Sequence, residues 1–171
     1  MHILLDTFDG YLLRIEDSQQ LATIGNREFI VSDYLHGRCH IFALAAQEVF
    51  GPHALIKVLI DAESGFLLHA YIGINDIDID ARGQIQESDI LDYEAQGGFE
   101  IDHVVLSHEQ VLSQSSACQW GAPETGEIDA LKDFISLHKS VFLADDVDSR
   151  IEAAVSCKPA NVEDLIFDLT L

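Results

Sequence analysis

The chain has 171 residues, 48% hydrophobic and 23% charged, with thirty Asp and Glu against nine Lys and Arg and a formal net charge of −21. That balance belongs to a globular chain able to bury a substantial core, and it excludes collagen-like, proline-rich and generally disordered classes. The excess acid disfavours direct contact with nucleic-acid phosphates and with anionic membrane surfaces, and leaves cationic partners open.

In chain order, residues 2–16 hold two short apolar runs around Asp9-Gly10, a hairpin signal. Arg27 to Leu35 reads equally as a short helix or as a strand. From Cys39 to Phe50, CHIFALAAQEVF repeats apolar residues at helical spacing and is rich in Ala and Leu. Gly51-Pro52 is the expected stop for this helix, which is apolar on most sides and reads as the central buried one. Ala54–Ala62 and Gly65–Ile74 follow as strands, separated by a turn at Glu63-Ser64-Gly65. Asn75-Asp76 reads as a tight turn. Ile77–Gly83 then alternates apolar and polar residues, which predicts a third strand of an antiparallel meander.

Further on, residues 88–97 suit a short acidic helix between Ser88 and Gly97-Gly98, and Glu100–Ser107 suits a strand. Ser107 is placed to cap a helix through Ser113, and the small residues of 114–126 predict a loop. Helical segments are expected over 127–143 and 146–157, with Lys158-Pro159 as a stop and a short amphipathic tail beyond. The fold class expected from this order is α+β: an antiparallel sheet packed on a buried helix, with C-terminal helices. One domain is expected, with a core over about 1–113 and a helical extension over about 124–171 that either covers a cleft or forms a dimer contact.

Cys39, Cys118 and Cys157 are widely spaced and odd in number, which argues for a reducing compartment over a disulfide framework. The start of the chain reads as no signal peptide, and no apolar run approaches the roughly eighteen residues of a membrane span. A cytoplasmic location is therefore the expectation.

The stretch with chemistry in it is Gly37-Arg38-Cys39-His40, which opens the apolar helix. A thiol there lies near unsatisfied N–H groups and the positive end of the helix dipole, both of which favour the thiolate. The same N–H groups can receive an oxyanion. A two-residue turn at Asn75-Asp76 sets Ile74 opposite Ile77, Tyr71 opposite Asp80 and His69 opposite Arg82, so that His69 and Asp80 become diagonal neighbours on one face. A carboxylate on one imidazole nitrogen fixes the tautomer and leaves the other nitrogen for a thiol. Asp78 shares that face nearer the turn and is the second choice for the acid.

Cys at a helix start, His on a strand and Asp on the next strand, in that chain order, resemble the papain-like cysteine protease superfamily in its broad sense. That group includes cell-wall amidopeptidases of the NlpC/P60 type and transglutaminase-like proteins. The resemblance rests on GRCHIFALA, LHAYIGI and IDIDARG and covers about residues 37–83. It implies a cysteine hydrolase or acyltransferase acting on an amide, peptide or thioester bond without a cofactor, with Cys39 as nucleophile, His69 as general base and Asp80 as the orienting acid. Members often carry a Gln several residues before the Cys and an aromatic residue after it; here Asp33 and Tyr34 stand before Cys39, and His40 follows.

Two rival readings use the same residues. His36, Cys39 and His40 have spacing that a metal site can use, with His69 as a further donor, but no second ligand pair follows at a typical interval. Alternatively the chain is a non-enzymatic acidic interaction protein, such as an immunity protein or a nucleic-acid mimic that binds a basic partner, with Cys39 simply packed.

Overall fold

In the computed structural model, the described residues are 3, 5–8, 12–86, 89–90, 100–116 and 120–144. Two hairpins open the chain: β1 (Leu5–Phe8) with β2 (Leu12–Ile15), and β3 (Gln20–Ile24) with β4 (Arg27–Ile30). Arg27–Leu35 proves to be strand and helix in succession, because β4 runs directly into α1 (Val31–Leu35). Asp33 accepts the Ile30 N–H at 2.9 Å and so fixes this switch.

The helix α2 (Cys39–Phe50) follows, and every residue from Cys39 to Ala46 is buried. Gly51 ends it at φ +92°, a conformation open to glycine at little cost, and its N–H returns to the Gln47 carbonyl at 2.8 Å. Next come β5 (Leu55–Asp61), β6 (Leu67–Ile74), β7 (Ile77–Asp80), β8 (Gly83–Ile85) and β9 (Ile101–Leu106). These form one antiparallel sheet in the order β8-β7-β6-β5-β9. The fold is thus α+β. Ile56, Val58, Ala70, Ile72 and Ile79 join α2 in the main core, while Leu59, Tyr71 and Ile85 form a smaller cluster. That division follows the two-residue alternation of the strands.

Asn75 (φ +48°) and Asp76 (φ +67°) are both left-handed, the backbone of a two-residue hairpin turn whose twist matches its strands. The resulting register pairs Ile74 with Ile77, Gly73 with Asp78 and Ile72 with Ile79. The predicted strand Ile77–Gly83 is corrected here: β7 stops at Asp80, and Ala81-Arg82 turn the chain into β8. The cause is local. Asp80 Oδ1 accepts the Arg82 N–H at 2.8 Å, a side-chain mimic of a backbone turn that takes Arg82 off the ladder opposite His69.

The helix α3 (His108–Ser116) begins with the predicted cap: Ser107 Oγ accepts the Gln110 N–H at 3.2 Å, and Gln110 Oε1 accepts the Ser107 N–H at 2.8 Å. It runs past Ser113, so residues 114–116 are helix and not loop. Ser115 and Ser116 satisfy their hydroxyls on the carbonyls one turn back, at 2.8 Å each. The single helix expected over 127–143 is two, α4 (Glu127–Leu137) and α5 (Lys139–Leu143), broken at the buried His138. α4 packs along α2 and β3.

The Asp9-Gly10 turn, Cys118, Cys157, the 146–157 helix and the tail lie outside the described residues. Of the 88–97 helix only Asp89 and Ile90 are described, and both are helical. No helix among the described residues is long and apolar enough to cross a membrane.

Candidate active site

Cys39 is the first residue of α2, preceded by Gly37 at φ +114° and by Arg38 as N-cap. Its thiol is free and 3% exposed. Burial alone opposes the thiolate, but interaction with the His40 and His69 rings outweighs it and brings the thiol down to about 6.

His69 reaches this sulfur from β6. Continuing the β6–β7 register sets Tyr71 opposite Asp80, and β7 ends there, so His69 projects beyond the end of its neighbour strand. Its Nε2 lies 3.1 Å from Asp80 Oδ2, the diagonal contact that the turn length implies. Both side chains are 1% exposed. That bond commits Nε2 and leaves Nδ1 as the nitrogen that can serve the sulfur. Burial works against charge on His69, yet the bond to Asp80 and the interaction with Cys39 prevail and raise the ring to about 9. Tyr71 stacks against the ring with centroids 6.0 Å apart.

Asp80 is held in turn. Arg82 donates from Nη2 to Oδ2 at 2.6 Å and from its backbone to Oδ1 at 2.8 Å. Burial opposes the carboxylate charge, but His69 and Arg82 outweigh it and hold the group well below the usual carboxylate range. Cys39, His69 and Asp80 therefore converge, and their surroundings favour a thiolate beside an imidazolium on a carboxylate.

Sequence reasoning gave His40 no firm role and overlooked Glu127. His40 is fully buried; its Nε2 lies 2.9 Å from the Gly121 carbonyl oxygen, and Trp120 meets the ring edge-on at 5.8 Å. Glu127, also fully buried, binds Arg38, the residue before Cys39. Arg38 donates to it through Nε at 2.7 Å and through Nη2, Tyr34 OH at 3.1 Å and the Glu124 N–H at 2.8 Å. Burial and the neighbouring Glu127 charge raise the Tyr34 hydroxyl far above its ordinary value, so it stays a donor. No local signal in the sequence marks either link, because the partners lie 81 and 89 residues apart.

The remaining candidates are elsewhere. Asp78 accepts from Lys57 Nζ at 2.7 Å and stays out of the His69 cluster. His36 is exposed. Asp33 and Tyr34, which precede Cys39, are engaged with Ile30 and Glu127. No group of three His, Cys, Asp or Glu among the described residues is arranged to hold a metal ion. Comparison with protein-family models, curated proteins and solved structures found no match to this chain.

Proposed function

We propose that this chain is a papain-like cysteine hydrolase or acyltransferase, cutting or exchanging an amide, peptide or thioester bond through Cys39, His69 and Asp80. The observation that carries the reading is the convergence of a thiol, an imidazole and a carboxylate from α2, β6 and β7. The Cys39 thiolate attacks the substrate carbonyl, and the carbonyl electron pair moves onto oxygen. The bonds onto the Arg38 carbonyl begin at the Ile41 N–H, so the N–H groups of Cys39 and His40 at the start of α2 are the ones to receive that oxyanion. His69 then gives its Nδ1 proton to the leaving group, and an acyl-thioester remains on Cys39. Water, or a second nucleophile, gives its proton back to His69 and takes the acyl group. Asp80 keeps the ring oriented and its cation stabilised throughout.

The net charge of −21 favours a cationic substrate or partner, and the free thiol suits the reducing cytoplasm. The test is acylation by p-nitrophenyl acetate. The expected result is a burst of nitrophenolate with one acetyl group on Cys39 by mass spectrometry, absent in Cys39→Ala and strongly reduced in His69→Gln. A burst that survives Cys39→Ala defeats the mechanism. An unmodified Cys39, together with tight, salt-sensitive binding to a basic protein, favours an interaction protein in its place.

A further inference from the structure

Both chain neighbours of Cys39 are gripped by one distant segment. After Cys39, His40 Nε2 donates to the Gly121 carbonyl at 2.9 Å, and Trp120 meets the ring edge-on. A carbonyl only accepts, so this bond forms with the neutral ring protonated on Nε2 and equally with the cation. Before Cys39, Arg38 lays its guanidinium fork on the Glu127 carboxylate, and the guanidinium lies over the Phe29 ring, 5.0 Å from its centroid. Tyr34 OH at 3.1 Å and the Glu124 N–H at 2.8 Å also donate to Glu127. Residues 120–127 therefore hold residues 38 and 40 together.

Helix starts are ordinarily fixed from within: a Ser, Thr, Asp or Asn at the N-cap binds one of the first N–H groups with its own side chain. Arg38 stands at the N-cap of α2 and makes no such bond. Its side chain turns to Glu127, so the turn is held from outside and the N–H groups of Cys39 and His40 stay open to a ligand. A buried ion pair recovers little stability beyond its own desolvation, and its use is to fix geometry.

Resting on the hydrolase reading, we propose that Glu127 is a positioning residue, setting through Arg38 the Arg38–Cys39 peptide whose N–H receives the oxyanion. The Gly121 bond holds the next peptide, Cys39–His40, which carries the second donor. The step served is the attack on the carbonyl, in which the sulfur–carbon bond forms and the carbonyl pair moves onto oxygen. Glu127 itself touches no substrate. Its charge alone would act with the opposite sign: a carboxylate behind a developing anion repels it, so removing that charge without loss of position would speed acylation.

The test compares two reactions of Cys39 in the full chain, each adduct located by mass spectrometry. Acylation by p-nitrophenyl acetate passes through an oxyanion, whereas alkylation by iodoacetamide displaces iodide from carbon and forms none. In Glu127→Gln, acylation is expected to fall about tenfold to a hundredfold, while the alkylation rate stays within about twofold and its pH midpoint holds. Arg38→Lys keeps a cation beside Glu127 but gives up the two-point hold, and the same selective loss is expected there. It decides the matter if Glu127→Gln fails to fold. Acylation that is unchanged or faster, or that moves together with alkylation, overturns the proposal. Acetyl transfer absent from the unaltered chain defeats the hydrolase reading, while acetyl transfer present there with an unmoved ratio in the variants defeats only the positioning role.

Discussion

Two buried ionic clusters flank the first turn of α2, and they are built to different rules. On one flank Glu127 takes four hydrogen bonds, from Arg38 twice, Tyr34 and Glu124, and its carboxylate is fully engaged. On the other flank stand the Cys39 thiol, His40 and His69, all buried, and His40 Nδ1 has no hydrogen-bond partner there. A saturated buried charge fixes geometry; an unsaturated one stores reactivity. The saturated cluster anchors α4 to Arg38 beside Cys39, so the cluster around the thiol has a rigid edge.

Substitutions can break the two clusters separately. The largest effect on chemistry is expected from Asp80→Asn. Acyl transfer falls about 10²- to 10⁴-fold, because His69 loses the partner that orients it and stabilises its cation. The same variant lowers the alkaline limb of the pH–rate profile from near 9, since the bond to Asp80 is what raises His69 against its burial. In the native chain the Asp80 pair also stabilises the fold above the ordinary aspartate value of about 3.9, and that contribution is lost as pH falls toward its depressed folded value. Glu127→Ala acts on the other cluster and strands Arg38. A loss of about 3–5 kcal/mol is expected in urea unfolding, with the Cys39 titration of the folded protein little changed. A large shift in that titration would show that the clusters are coupled. The smallest effect belongs to Asp78→Asn. Its pair with Lys57 is partly exposed, so about 0.2–1 kcal/mol of stability and no activity should be lost.

What the sequence revealed was what short-range patterns determine. The buried helix from Cys39, its stop at Gly51 and the turn at Asn75-Asp76 are each fixed by neighbours within a few residues, and the turn length alone brings His69 to Asp80. The errors arose where side chains override a pattern. Alternation continues through Arg82, but the Asp80 carboxylate captures the Arg82 N–H and ends the strand. Ser115 and Ser116 look like loop residues, yet their hydroxyls bond back onto α3. His40 and Arg38 were illegible for a third reason: Gly121 and Glu127 come from a distant segment, and only packing brings them in.

The most direct test of the convergence is alkylation of the native protein by iodoacetamide across pH, with the label located by mass spectrometry. Selective modification of Cys39 with a midpoint near 6 is the predicted result. A midpoint at the ordinary thiol value of about 8.5, or equal labelling of all three cysteines, would contradict it.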